Sequence, residues 1–179
     1  MAQTTLNISV SLPLFFLITI LVSLEAKVIK MKETNMVFYM QDWETGSNVT
    51  AISVAGLNGT NSSPLNFGTI AVLDDPITIG VDRYSKQIGR ARGIFSASAL
   101  DGSTIHRIFS FVFTDGEYKG STLQIQGLEV YRTKRRELSV VSGTGLFRYA
   151  RGYIVFESAF MDIPNLNAVL KVTVTVRHY

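Results

Sequence analysis

From Asn35 to the C-terminus, apolar and polar residues alternate in short runs broken by Gly, Asn and Asp. That period of two is the signature of half-buried β-strands. The last run, AVLKVTVTVRHY, is the cleanest: Leu170, Val172, Val174 and Val176 line one face, and Lys171, Thr173, Thr175 and Arg177 the other. In TIHRIFSFVFT, residues Ile105, Phe109, Phe111 and Phe113 share a face with Arg107 among them, and STLQIQG sets Leu123 and Ile125 against Thr122, Gln124 and Gln126. NMVFYMQDW reads as a strand ending in a turn at ETGSN, and AISVAGL as a short strand ahead of a polar loop. Phe67 to Leu73 is a strong strand that Asp74-Asp75-Pro76 is expected to stop. In KQIGRARGIFSASAL, Gly89 and Gly93 interrupt a strand-like run, which predicts bulges or a tight bend. RRELSVVSG and SGTGLFRYARGY supply two more strands, with Gly143 and Gly145 at a turn and Phe147, Tyr149 and Tyr153 on one side of the strand that follows.

Past residue 26 no stretch of about ten residues carries a helical period. About eight strands at turn-separated spacing predict an all-β antiparallel sandwich or barrel. Closure into a barrel removes the exposed edges, and a barrel of eight strands has room for side chains or one small ligand.

The N-terminus departs from this pattern. Leu12 to Leu24 is apolar, uncharged and of secretory h-region length, and Ala26 is a small residue at a plausible cleavage point. The run is shorter than the roughly 20 residues that span a bilayer. Residues 1–26 are therefore expected to be a signal peptide, 27–34 a mobile Lys-rich lead-in, and 35–179 the barrel domain, with no membrane span in the mature form. Secretion agrees with the acceptor tripeptides at Asn48, Asn58 and Asn61, three within sixteen residues.

The chain has no cysteine, so thiol nucleophiles, thiolate metal sites and disulfide staples are excluded, and core packing must hold the fold. With two histidines, a His-rich metal site is not expected. Removing residues 1–26 leaves 17 basic and 13 acidic residues, a mild surplus that demands no nucleic-acid partner. Ser142-Gly143-Thr144-Gly145 lacks both the third glycine and the strand-to-helix switch of a dinucleotide cradle. No G-x-S-x-G elbow supports a serine hydrolase, and RTKRRE reads as a solvated strand end or hairpin. Of the acids at strand ends, most are expected to form turns, including Asp74, Asp75, Asp101 and Asp115. Asp42 differs, because it follows an apolar strand and lies among Phe38, Tyr39 and Trp43. A carboxyl in such surroundings has a raised pKa and can donate a proton near neutral pH.

Taken in order, FYMQDW, FGTIAVLDDPITIG, GRARGIFSASALDG, FVFTDGEYKGSTLQIQG, RELSVVSGTGLFRYARGY and VTVTVRHY resemble the plant dirigent proteins over Asn35 to Tyr179. The resemblance implies an eight-stranded antiparallel β-barrel, commonly a homotrimer, secreted to the apoplast, N-glycosylated and without a cofactor. It also implies a role in steering regio- and stereoselective coupling of phenoxy radicals, such as those of coniferyl alcohol, toward lignans. A separate laccase or peroxidase supplies the radicals. Some relatives instead close a ring on a quinone methide, as in pterocarpan formation, and a non-catalytic defence or cell-wall binding barrel is a third implied role. Carried over position by position, the family's acid at the end of the first strand falls on Asp42. The pocket acid falls on Glu129, seven residues before Arg136, which takes the place of the family arginine. Tyr39 and Phe95 are the aromatics expected against substrate. Phe95 stands where lignan-forming members carry a tyrosine, Gln41 replaces the usual histidine, and Ser142 replaces the first glycine of the GGTG block.

Overall fold

The structure is a computed structural model that describes residues 30–59 and 62–179. The expected signal peptide, residues 27–29 of the lead-in and the acceptor Asn61 lie outside the described residues. Among the described residues nine strands follow one another: β1 (Lys32–Asp42), β2 (Ala51–Ala55), β3 (Ile70–Thr78), β4 (Gln87–Ala97), β5 (Thr104–Phe113), β6 (Thr122–Val130), β7 (Arg136–Thr144), β8 (Arg151–Asp162) and β9 (Asn167–His178). All pair antiparallel in the order β1-β9-β8-β7-β6-β5-β4-β3-β2, and β1 also pairs with β3. That last pairing closes an eight-stranded barrel in which β1 and β2 share one position. β1 meets β3 at Tyr39–Thr78 and Met40–Ile77, and β2 meets it from Ala51–Leu73 to Ala55–Ile70.

This shared position corrects one expectation. Asp74-Asp75-Pro76 does not stop a strand; β3 runs straight through it. Proline has no N–H to give to a ladder and is tolerated where no neighbour needs one. Pro76 falls in the gap where β2 has ended and β1 has not yet begun to pair, so the missing donor costs nothing. The lead-in also ends earlier than expected, because Lys32 to Thr34 already belong to β1 and Thr34 is buried.

The two glycines of β4 share one constraint, since a Cβ on Gly89 would strike the Val112 carbonyl oxygen much as one on Gly93 would strike that of Ile108, but they differ in register. A register shift in β4 lies next to Gly89, opposite Ile77 and Thr78, as a bulge requires. At Gly93 the pairing to β5 is regular, and the glycine is there because a Cβ would strike the Ile108 carbonyl oxygen. Beyond β7, Gly145 opens a single 3-10 turn with φ +63°. Phe147 does not share a side with Tyr149 and Tyr153: it is fully buried, whereas both tyrosines are exposed.

Inward positions alternate as the pattern predicts, and Phe38, Phe111, Leu123, Ile154, Phe156, Val172 and Val174 are all buried. One end of the interior is packed solid. Phe38 meets Phe111 edge-on at 4.9 Å between centroids, Phe113 meets Phe147 at 5.9 Å, and Tyr118 meets Phe147 at 5.1 Å. His178 closes that end, edge-on to Phe147 at 5.2 Å and hydrogen-bonded through Nε2 to Thr34 Oγ1 at 2.9 Å. His178 is thus a structural residue of the packed end.

Candidate functional site

At the other end the same strands leave a hollow of about 980 Å³, the size of a small-molecule site. Asp42 enters it from the C-terminal end of β1, Phe95 from β4, Arg107 from β5, Glu129 from β6, Arg136 from the start of β7 and Ser158 from β8. Ile105, Leu166, Ala168 and Leu170 give it apolar walls, and Leu65 and Ile163 also border it. Tyr39 borders it too, but from the opposite face of β1 to Phe38 and Met40, beside its cross-strand partner Lys171. The five residues singled out in the sequence, Asp42, Glu129, Arg136, Phe95 and Tyr39, thus come together around one cavity.

Arg107 was not among them, yet it ties the cluster together. Alternation along β5 turns it inward between Ile105 and Phe109, and its neighbours across the sheet are Phe95 and Gly127. Its guanidinium lies 5.0 Å from the Phe95 ring centroid and 5.9 Å from that of Phe156. Arg107 Nε donates to Glu129 Oε2, and its Nη2 is 3.9 Å from Asp42 Oδ2. On the other side of Glu129, Arg136 Nε is 3.3 Å from Oε1. Arg136 Nη1 donates to the Tyr131 carbonyl at 3.1 Å and Nη2 to Ser158 Oγ at 3.0 Å. Glu129 is thus held between two guanidinium groups in a setting where its side chain is 2% exposed. Burial opposes the charge on Arg107, but Glu129 and Asp42 outweigh it and hold that residue firmly protonated. Arg136 goes the other way: burial, aided by repulsion from Arg107, lowers its pKa despite Glu129.

Three further carboxyls, Asp42, Asp75 and Glu44, are biased toward their neutral forms. Burial raises the pKa of Asp42; Arg107 pulls it back and Glu129 adds to the rise. Asp42 Oδ1 has no hydrogen-bond partner. Asp75, expected to be a turn former, faces into the barrel from β3 and is 0% exposed, and among the described residues Thr50 is the hydrogen-bonding side chain that acts on it, without reaching good hydrogen-bond geometry. Burial first, then the charge of Asp42, raises it well above the carboxylate range. Glu44, which follows β1, lines the cavity as well, and desolvation followed by repulsion from Asp42 pushes it up to about 8. Between Asp42 and Glu44, Trp43 turns the opposite way, stacked on Phe160 at 6.4 Å with Arg83 4.0 Å over its ring. Its indole N–H has no partner.

Other expectations sort themselves by this geometry. Asp74 faces outward between Arg90 and Arg92, Asp101 Oδ1 accepts from the Ser103 N–H at 2.9 Å, and Asp115 pairs with Lys86 at 2.8 Å. RTKRRE is a turn, but not a merely solvated one: Arg132, Thr133 and Lys134 line the cavity and Arg136 is buried within it. His106 sits on the outer face of β5, away from the site.

The Dirigent-like protein family model matches residues 33–177. The chain belongs to the dirigent family. Dirigent protein 1 of Arabidopsis thaliana is 38% identical over 147 residues, covering 82% of this chain and 80% of that protein. Pterocarpan synthase 1 of Glycine max is 32% identical over 186 residues, the whole of both chains. Among solved structures, the pterocarpan synthase dirigent protein GePTS1 superposes with a TM-score of 0.79 at 34% identity, covering 86% of this chain and 88% of that one. PsPTS1, of the same description, gives 0.78 at 36% identity, covering 83% and 96%. In this dirigent barrel Asp42, Glu129 and Arg136 stand at one cavity, joined through Arg107, which block-by-block matching does not single out.

Proposed function

We propose that this dirigent barrel receives a phenol-derived quinone methide and directs the closure of a ring on it. The reading is carried by Asp42: a buried carboxyl biased toward its acid form, with one oxygen unpartnered, on the wall of an apolar cavity. A quinone methide is an electrophile whose carbonyl oxygen becomes a phenol as a hydroxyl adds to its exocyclic carbon. Asp42 supplies the proton to that oxygen, which is general acid catalysis. The Arg107–Glu129–Arg136 array presents fixed charge to the polar substituents, and Phe95 offers its ring to a flat substrate. The chain's own contribution is orientation and a placed proton.

Two routes deliver such an intermediate. Loss of water from an isoflavanol makes it without an oxidant, in keeping with the likeness to pterocarpan synthases. Coupling of two phenoxy radicals, supplied by a laccase or peroxidase, makes a bis-quinone methide, in keeping with the lignan reading. Incubation with a 2′-hydroxyisoflavan-4-ol alone, and with coniferyl alcohol plus laccase, separates the routes by chiral chromatography. A cyclised product without oxidant supports the first, and enantiomeric excess in the coupled product supports the second. Racemic coupling together with no isoflavanol turnover overturns the proposal and leaves a binding barrel.

The same reading places the mature chain in the apoplast as a glycosylated homotrimer. Asn48 and Asn58 are exposed, as acceptors must be. On the outer wall Ile52, Val72, Ile94 and Ile108 pair in one row across four strands, all exposed, an apolar surface suited to a second copy of the barrel. Among the described residues no helix is long and apolar enough to cross a membrane.

A further inference from the structure

Glu44 lies past the end of β1, in a segment that joins it to β2, and such segments are usually the least constrained parts of a barrel. This one is held on both edges. The N–H groups of Glu44 and Thr45 both donate to Asn167 Oδ1, at 2.9 and 3.1 Å, and Asn167 is itself buried. Thr45 Oγ1 donates to the Asn165 carbonyl at 2.9 Å. On the opposite edge Trp43 N–H donates to Thr50 Oγ1 at 3.1 Å, and Thr50 N–H returns a bond to the Trp43 carbonyl at 2.7 Å. The chain therefore keeps its extended alternation past Asp42, and Glu44 follows Asp42 to the cavity side while Trp43 faces away.

The two carboxyls differ in access. Asp42 is buried, whereas Glu44 is half-exposed. Two residues along an extended chain are about 7 Å apart at Cα, and two carboxyl groups turned to the same side across that span are within reach of one bridging water, with no direct hydrogen bond between them. The charged groups that share the hollow with Glu44 include Asp42, Arg107, Glu129, Arg136, Asp162 and Lys171. Glu129 is taken by two arginines, and Lys171 by Glu157 at 3.7 Å. What acts on Glu44 is burial, the like charge of Asp42 and the more distant Arg107, and no side-chain hydrogen bond contributes. A carboxyl held in place by its backbone, left without a side-chain partner and turned toward an apolar cavity is arranged to exchange something with that cavity. Its proton is retained up to about pH 8.

We propose that Glu44 is the proton entry of the site, re-protonating Asp42 after Asp42 has given its proton to substrate. This rests on the quinone-methide reading above. The Asp42 O–H bond breaks as the phenol O–H of the product forms. The Glu44 O–H then breaks as that of Asp42 re-forms, and Glu44 regains a proton from water at the mouth. The proton released by the attacking hydroxyl returns to solvent, so the cycle is neutral overall. Glu44 is thus a relay residue acting through Asp42.

The test uses the purified full chain and whichever of the two probes above the wild type converts. E44Q is expected to lower kcat about 10-fold, less than the roughly 10²-fold or more that a donor acting directly on substrate contributes, with KM within about two-fold and circular dichroism unchanged. E44D is expected to restore most of the rate. Imidazole or acetate buffer is expected to rescue E44Q in proportion to the buffer's acid form, while leaving the wild type unaffected. A merely structural or surface role predicts no buffer rescue. An E44Q enzyme with wild-type kcat, or with a loss that neither E44D nor buffer repairs, overturns the relay and leaves the quinone-methide reading standing. A wild type that converts neither probe overturns that reading, and the relay with it.

Discussion

Along β5 the inward positions run Ile105, Arg107, Phe109, Phe111 and Phe113, and the interior changes character between the second and the third. Toward Phe113 the rings of Phe38, Phe111, Phe113, Tyr118 and Phe147 fill the lumen, and among the described residues no charged side chain is buried with them. Toward Arg107 the lumen is open, and β1, β5, β6 and β7 each contribute a charged or ionisable group to it. The same change is seen on β1, where Phe38 and Met40 are followed by Asp42. Both ends share one set of strands and one hydrogen-bond ladder. The packed end therefore provides the rigidity against which the open end can hold buried carboxyls whose hydrogen-bonding capacity is not filled.

The largest effect should follow from emptying the packed end. Phe111→Ala removes a fully buried ring and is expected to cost about 3–5 kcal/mol. Urea unfolding measures it, and at temperatures where the variant stays folded its product profile should match wild type. A changed enantiomer ratio would show that the two ends are not separable. At the open end, Asp42→Asn should lower turnover by about 10²-fold, the scale of a lost general acid, and leave stability equal or slightly raised. Unchanged turnover removes Asp42 from the chemistry. The smallest effect concerns Asp75 and pH. Its folded pKa is raised above its ordinary value of 3.8, so the native state holds a proton that the unfolded chain releases. Stability from this group is then full below about pH 4 and declines as pH rises toward the folded pKa, by about 1.4 kcal/mol per pH unit across that window. Asp75→Asn should leave Tm unchanged near pH 4 and raise it near pH 7, by about 2–4 °C for each kcal/mol recovered in a chain of this size. Equal Tm values at both pH values would mean that Asp75 finds a partner in solution.

Much of the fold was legible because alternation is a local signal. Arg107 was placed on the same face as the apolar residues of its strand, and Leu170, Val172, Val174 and Val176 were placed together on one face, from spacing alone. What could not be read was where the chain closes on itself. The gap between β1 and β2 that tolerates Pro76 exists only in the closed barrel, so Asp74-Asp75-Pro76 looked like a stop. Matching by family blocks picked out Asp42, Glu129 and Arg136, which the fold brings to one cavity. Arg107 and Asp75 carried a usable signal, a charged residue in phase with an inward apolar set. Glu44 carried a weaker one, an acid two places beyond Asp42, which the turn-like ETGSN obscured because Asn167, 123 residues away, is what keeps that segment extended.

Trp43 is the only tryptophan in the chain, and it sits between the two acids of the proposed relay. Its ring is sandwiched between the Arg83 guanidinium and Phe160, with an indole N–H that no protein group holds. Excited at the red edge, the protein's emission comes from this one ring, whose excited state responds to nearby charge. Deprotonation of a carboxyl on either side of it, or the arrival of a phenol that can accept its energy, therefore alters the colour or brightness of the unlabelled protein. The molecule carries its own optical gauge of the state of its cavity.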